Sequence, residues 1–286
     1  MILVDAIVQG ILVGGLYALF ALGLSLTFGI MRLVNIAHGD FIVLGAYVAL
    51  TVIGATGLHP VLALGLAVPL MAGMGYAIQR FALNRTLGPD ILPPILVTFG
   101  LAVVIQNVLL TVFSSDTRRL SAGAVEAQSV SLAGVTVGVL PLLTLAAAVA
   151  LIAGLEWLFA KSRIGRTFRA TSDDAETARM MGVNTAHVFA AAMALSFALI
   201  AVAGVLLAMR SNFDPFSGPA RLIYGFEAVI IGGLGNLWGT LAGGVVLGVA
   251  QSLGAQISPA FQALAGHLVF FLILALKPRG LFPRMD

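Results

Sequence analysis

Apolar residues follow one another without charge for 26 positions from Ala6 to Met31, and uncharged stretches of comparable length recur at 41–58, 61–79, 91–115, 132–155 and 188–209. Crossing the hydrocarbon core of a bilayer takes about 20 such residues in a helix. Each stretch therefore predicts a membrane-spanning helix. A secretory signal has a basic start and a short apolar core of roughly 7–15 residues. Here Asp5 is the only early charge and the run is longer, so the first helix is expected to be retained. The last stretch, 222–276, is interrupted by Glu227, by Gly232-Gly233-Leu234-Gly235-Asn236-Leu237-Trp238-Gly239, and by a polar pause at 251–259.

Composition removes the soluble alternative. The chain has 286 residues, 60% hydrophobic and 9% charged, where a soluble domain carries about 25% charge. The expected fold is all-α, a polytopic transmembrane helical bundle forming one domain over 1–286. Of the 15 bases, 11 fall in 30–40, 80–90, 156–187 and the tail from 277, and 4 fall in 1–5, 59–60, 116–131, 210–221 and 254–259. The base-rich set is expected in the cytoplasm. The N-terminus then lies in the periplasm and the C-terminus in the cytoplasm, so the number of crossings is odd. Nine membrane segments satisfy that parity, the seventh short and broken; hydropathy counting that merges two gives eight. The net charge of +3 thus reads as orientation, with no nucleic-acid partner. The chain has no cysteine, which excludes disulfides, thiolate metal sites and cysteine nucleophiles.

Three segments depart from the apolar pattern. Val34-Asn35-Ile36-Ala37-His38-Gly39-Asp40 is polar between two spans. It reads either as a cytoplasmic turn with Asp40 capping the next helix, or as unwound backbone lining a path, where Asn35, His38, Gly39 and Asp40 are candidates. His38, a group that titrates near neutrality, also admits a proton relay. From Glu227 to Gly248, glycines recur at 235, 239 and 243, with another pair at 244 and 248. That spacing opens a groove for a second helix. A carboxylate in a membrane segment is costly, so Glu227 either pairs with Arg221 or Arg210 or lines the outer mouth of the path, with Gly232, Gly233 and Asn236 beyond it. The two breaks share an apolar–glycine/asparagine–apolar make-up and are approached from opposite sides, as an inverted repeat requires.

The third segment, 156–187, is the one long charged loop. Ser172 as N-cap, acids in the first turn, Arg179 near the end and Gly182 as a stop predict a cytoplasmic helix of about ten residues. It is either held at anionic lipid by its bases or docks in a groove on a cytoplasmic partner. Arg163, Gly165, Arg166, Arg169, Asp173, Ala178 and Gly182 are its candidate contacts. With lysine only at 161 and 277 and no Walker A sequence, the chain has no P-loop of its own. No HExxH, GxSxG or paired-carboxylate pattern appears, so no catalytic residue, metal site or bound cofactor is expected. A solitary transporter or channel coupled to protons is the competing class, and a structural scaffold a third.

These segments resemble the LivH-type permease subunits of bacterial branched-chain amino-acid ABC importers. The matching residues are Gly29-Ile30 with Asn35 to Phe41 and Leu44 to Tyr47; Gly165-Arg166, Arg169-Ala170 and Asp173 to Gly182; Glu227 to Gly244; and Lys277-Pro278-Arg279-Gly280-Leu281-Phe282. The likeness covers nearly the whole chain and is least clear at 116–140. It departs at Asp40, where the family commonly has Glu, and at Met31-Arg32. The resemblance implies an inner-membrane importer in which this subunit pairs with a second, LivM-like permease or with itself. Two ATP-binding subunits would dock from the cytoplasm and a periplasmic substrate-binding protein would deliver cargo. It further implies that the 172–182 helix couples to the ATPases and that 35–40 and 227–236 line the path. Related permeases carry urea and short amides, so the cargo stays open within small amino acids, amides and urea.

Overall fold

Helices that are apolar on every face do not say which side turns inward. In the computed structural model, which describes residues 2–88, 90–132 and 135–282, glycine and alanine decide it. The α-helices are α1 (Ile2–Met31), α2 (His38–Thr56), α3 (Pro60–Phe81), α4 (Leu92–Phe113), α5 (Val139–Lys161), α6 (Arg163–Asp173), α7 (Ala175–Met180), α8 (Thr185–Arg210), α9 (Gly218–Gly232), α10 (Leu237–Ile257) and α11 (Phe261–Leu276). α1, α2, α3, α4, α5, α8 and α10 are long and apolar enough to cross a membrane. α9 and α11 have 15 and 16 residues, or about 22–24 Å at 1.5 Å per residue, less than the core thickness of about 30 Å. The fold is the expected helical bundle; the seventh segment, α9, is short as expected but unbroken, since the glycine-rich stretch lies after its last turn at Gly232. One expectation fails locally: the span read as starting at 132 begins at Val139, because Ser129–Leu132 (β1) and Val135–Gly138 (β2) pair as an antiparallel hairpin.

α1 and α8 form the centre. Their most apolar windows are 83% and 78% buried, against 22% for α3 and α4, so the latter belong to the outer shell. Antiparallel α10 packs on α1 through a glycine seam: a Cβ on Gly244 would stand 2.6 Å from the Gly14 carbonyl oxygen and 2.8 Å from the Ala18 nitrogen. Side chains at this seam would push the backbones apart, so the small residues supply the close approach on which helix association in lipid depends.

The bundle contains an inverted repeat. The run α1–α2–α3–α4 corresponds to α8–α9–α10–α11: α10 lies on α1 as α3 lies on α8, and α9 lies on α1 as α2 lies on α8. Register follows. Gly45 of α2 sits against the Ile200 carbonyl, and Gly225 of α9 against the Phe20 carbonyl. Gly45 and Gly225 are 180 positions apart, as are Phe20 and Ile200. The counterpart of the break at 32–37 is consequently 211–217, and not the glycine-rich 232–239 that the sequence pattern suggested.

Connections gather at two ends. At one, Asn84 Nδ2 donates to the Ala186 carbonyl at 2.9 Å and the Leu281 amide to the Ile231 carbonyl at 2.8 Å. At the other, Arg118 and Phe213 exchange backbone hydrogen bonds, and Leu120 donates to the Ala208 carbonyl at 2.9 Å. The first, base-rich set is called the basic end below.

Candidate functional site

α1 stops where Arg32 turns to φ 51°. The chain then runs back along α1 without regular structure and turns at Ile36–Ala37, with Leu33, Asn35 and Ala37 buried. Irregular backbone inside apolar surroundings needs internal partners. The Ile36 amide donates to Thr98 Oγ1 at 3.2 Å, and Asn35 Oδ1 accepts from the Ala37 amide at 3.0 Å. α2 begins partway along α1: His38 Nε2 lies 2.8 Å from the Phe20 carbonyl oxygen, and since a carbonyl only accepts, Nε2 carries the proton. Gly23 makes room for this ring, because a Cβ there would stand 2.7 Å from His38 Cε1. His38, 1% exposed, is thus a tie between α1 and α2.

The second break follows suit from the opposite end. Asp214 Oδ1 accepts from the Phe216 amide at 2.8 Å, Ser217 Oγ donates to the Asp214 carbonyl at 2.8 Å, and Gly218-Pro219 opens α9. The N-termini of α2 and α9, each following a break in the chain, therefore meet inside the bundle. Gly39 and Gly218 pack backbone to backbone, and the Asp40 carboxylate lies against Gly218 at the start of α9. The positive end of a helix dipole favours such a carboxylate. Asp40 Oδ1 also accepts from Gln106 Nε2 of α4 at 2.8 Å. Asp40 is accordingly a tether between α2, α4 and α9; the cap expected of it is absent, and α2 has no side-chain N-cap.

Glu227 is 5% exposed and sits beside the middle of α1, one half-turn beyond Gly225. Neither Arg221 nor Arg210 pairs with it. Its partner is His267 of α11, with Oε1 2.5 Å from Nδ1, while Arg210 donates to the Leu12 carbonyl at 3.2 Å. Each repeat therefore ties its second helix to its fourth through a carboxylate, Asp40 to Gln106 and Glu227 to His267. Gly232, Gly233 and Asn236 lie away from both, in the α9–α10 turn at the basic end. There Gly233 has φ 105°, and Asn236 caps α10 by accepting from the Gly239 amide at 2.8 Å while donating to the Phe282 carbonyl at 2.9 Å. The candidate path residues thus separate into a junction, a carboxylate–imidazole pair and a turn.

The loop 156–187 folds as two helices rather than one. Ser162 caps α6, accepting from the Gly165 amide at 2.8 Å. Gly165 lies on the Phe159 and Leu158 backbone, and Phe168 meets the Phe159 ring edge-on at 6.0 Å between centroids. This docking leaves Arg163, Arg166, Arg169 and Asp173 exposed. Ser172, the expected cap, lies within α6 and donates to the Arg169 carbonyl at 3.0 Å. Asp174 caps α7 instead, with Oδ1 taking the Glu176 and Thr177 amides at 2.9 and 3.0 Å. The Thr177 hydroxyl, with those amides, holds the Asp174 carboxyl below the usual carboxylate range. Ala178 is buried, Gly182 turns the chain at φ 87°, and between them Met180 and Met181 are 74% and 81% exposed. Bases, two bare methionines and a capped turn lie together on an exposed platform at the basic end. Beside it an open cleft of about 730 Å³ runs between α1, α5, α6 and the start of α10.

Sequence reasoning missed Gly218, Gln106 and Thr98 at the junction, His267 beside Glu227, and the exposed methionine pair. The proline at position two of α9 marks a helix start in the sequence; the 180-residue spacing of Gly45 and Gly225 takes its meaning only from their contacts in the structure.

A family model described as branched-chain amino acid transport system / permease component matches residues 6–276. The chain is 29% identical to the high-affinity branched-chain amino acid transport system permease protein BraD of Pseudomonas aeruginosa, over 98% of this chain and 95% of that protein. It is also 29% identical to LivH of Escherichia coli, over 97% of this chain and 94% of that protein. A probable LivH of Methanocaldococcus jannaschii is 32% identical over 93% of this chain and 85% of its own length. No solved structure matches. With spanning helices, an inverted repeat and a match over almost its whole length, the chain belongs to the family of permease components of branched-chain amino acid transport systems.

Proposed function

We propose that this chain is the permease subunit of an ATP-driven importer in the bacterial inner membrane, carrying branched-chain or related small amino acids inward. It works beside a second permease, with two ATP-binding subunits at the basic end and a periplasmic binding protein at the other; its N-terminus is periplasmic and its C-terminus cytoplasmic. The observation that carries the reading is the meeting of two helix N-termini, each reached through a break in the chain from opposite ends, at Gly39 and Gly218. Such a junction relates two halves that rock against each other, and helix ends at breaks of this kind supply binding sites between repeats. Arg163, Arg166, Arg169 and the Met180–Met181 tip form the docking platform for the ATPases, since flexible apolar methionine suits a groove. α6 leans on α5 through Gly165 and Phe168, so force applied to the platform reaches the bundle core.

Nucleotide binding shifts the equilibrium between outward- and inward-open states only through its different affinity for the two. The test is reconstitution of both permeases with the ATPases in vesicles, with binding protein and labelled leucine outside. Uptake that requires both ATP and binding protein is expected, and Arg169→Glu with Gly182→Pro lowers substrate-stimulated hydrolysis. Uptake by the isolated chain under a pH gradient, abolished by His38→Ala, would instead establish a proton-coupled transporter.

A further inference from the structure

The packing of α1, α9, α10 and α11 leaves polar atoms without partners in one small region. Arg221 Nε, Glu227 Oε2 and Gln251 Nε2 are all buried and unbonded. Buried groups of this kind are rare, and each calls for an explanation such as a ligand or a second conformation. They are linked through aromatic rings. The Tyr17 hydroxyl donates to Gln251 Oε1 at 2.5 Å, Tyr17 stacks on Tyr224 at 4.9 Å, and Tyr224 stacks on His267, the partner of Glu227, at 6.4 Å. Arg221, Tyr224 and Glu227 occupy successive turns of α9, the short second helix of the second repeat. The cover is thin. α11 is buried only at Gly266, which rests on Gln251, and the His267 side chain is 39% exposed.

Nearby Arg210 is held by the Leu12 carbonyl and His267 takes only one oxygen of Glu227, so Arg221 and the second oxygen of Glu227 are the charged groups left open. On a single helix and separated by a tyrosine face, they match a molecule that carries both charges on one end and an apolar group on the other. A ligand with a lone carboxylate or a lone ammonium leaves one of the two unanswered. We propose that this crevice holds the zwitterionic end of the transported amino acid, Arg221 taking the carboxylate and the free oxygen of Glu227 the ammonium, with the side chain on the Tyr17–Tyr224 face. The site is shut in the conformation described and opens when α11 moves off α9. This proposal rests on the importer reading and adds where within the permease the cargo is gripped.

The test uses the complex of permeases and ATPases without binding protein, and measures equilibrium binding of three probes: leucine, its deaminated analogue 4-methylpentanoate, and its decarboxylated analogue 3-methylbutylamine. The wild type binds leucine at least tenfold tighter than either analogue. Glu227→Gln removes the advantage of leucine over the carboxylate, and Arg221→Gln removes its advantage over the amine. Because the chain has no cysteine, Tyr224→Cys supplies an independent readout that needs neither charge variant to fold: leucine, and neither analogue, slows its reaction with a maleimide. Wild-type leucine affinity in both charge variants, or equal labelling with and without leucine, overturns the site. If ATP-driven leucine uptake persists in that case, the importer reading stands and only the site is lost; absence of uptake by the wild-type assembly defeats the importer reading itself.

Discussion

Replacing Gly39 by alanine drives a methyl group into the backbone of α9. The added Cβ would stand 2.8 Å from the Leu222 amide nitrogen and 2.9 Å from the Gly218 carbonyl carbon, with the Gly218 oxygen nearer still. Ordinary contact begins at 3.4 Å, and backbone, unlike a flexible side-chain tip, cannot swing aside. The Leu222 nitrogen alone would have to retreat by 0.6 Å and the nearer Gly218 oxygen by more, which also draws the positive end of α9 from the Asp40 carboxylate. Overpacking of this kind costs about 1–3 kcal/mol. Gly54→Ala in the same helix is the matched control, since nothing lies within 4 Å of its added Cβ and removing a helical glycine there gains roughly 0.5–1 kcal/mol. Unfolding of the purified chain in detergent, followed by fluorescence of Trp157 and Trp238, compares the two. A Gly39→Ala protein as stable as Gly54→Ala would refute the junction as described.

Asp174→Ala is expected to speed amide exchange at 175–180 while leaving α1 and α8 unchanged, because only the α7 cap is lost. Since the folded carboxyl titrates below its unfolded value of about 3.9, the contribution of the cap is complete above that value and disappears as pH falls through the folded pKa. Exchange protection of α7 is therefore flat between about pH 5 and 7 and falls in more acid solution. Gly14→Ala and Gly244→Ala each crowd the same α1–α10 seam, so the loss in the double variant is smaller than the two single losses added together, as a thermal-unfolding cycle would report. Gln106→Leu leaves the Asp40 carboxylate without its α4 donor and destabilises the chain by about 1–3 kcal/mol; no change on denaturation would exclude that tether.

Much of this architecture is legible in the sequence because length and charge alone carry it. Uncharged runs mark the segments, and the distribution of bases sorts the connections into two ends. Inward faces are not legible, because a helix apolar all round carries no moment to read, and glycine spacing alone does not name the neighbouring helix. The break at 211–217 lies within 210–221, which Arg210, Asp214 and Arg221 mark only as a connection between spans; the bonds to Asp214 and from Ser217 fold it into a turn that buries Phe213 and Pro215 and leaves Asn212 and Phe216 exposed. The cap of α7 shows the same limit: Ser172 and Asp174 are both capping residue types, and because α6 runs on through Ser172 to Asp173 the role falls to Asp174. Glu227 finds His267 across 40 residues, a pairing that no local pattern encodes, while the basic residues nearest it in sequence are committed elsewhere or left open.

The proposed importer requires the two breaks, at 32–37 and 211–217, to lie along a path whose access alternates with nucleotide state. In this cysteine-free chain, Ile36→Cys and Phe216→Cys place one thiol in each break. Membrane-impermeant maleimide is applied from each side of vesicles carrying the full assembly, without nucleotide and with ATP hydrolysis trapped. The account predicts that each thiol is reached from opposite sides in the two states; labelling from one unchanging side in both states would contradict it.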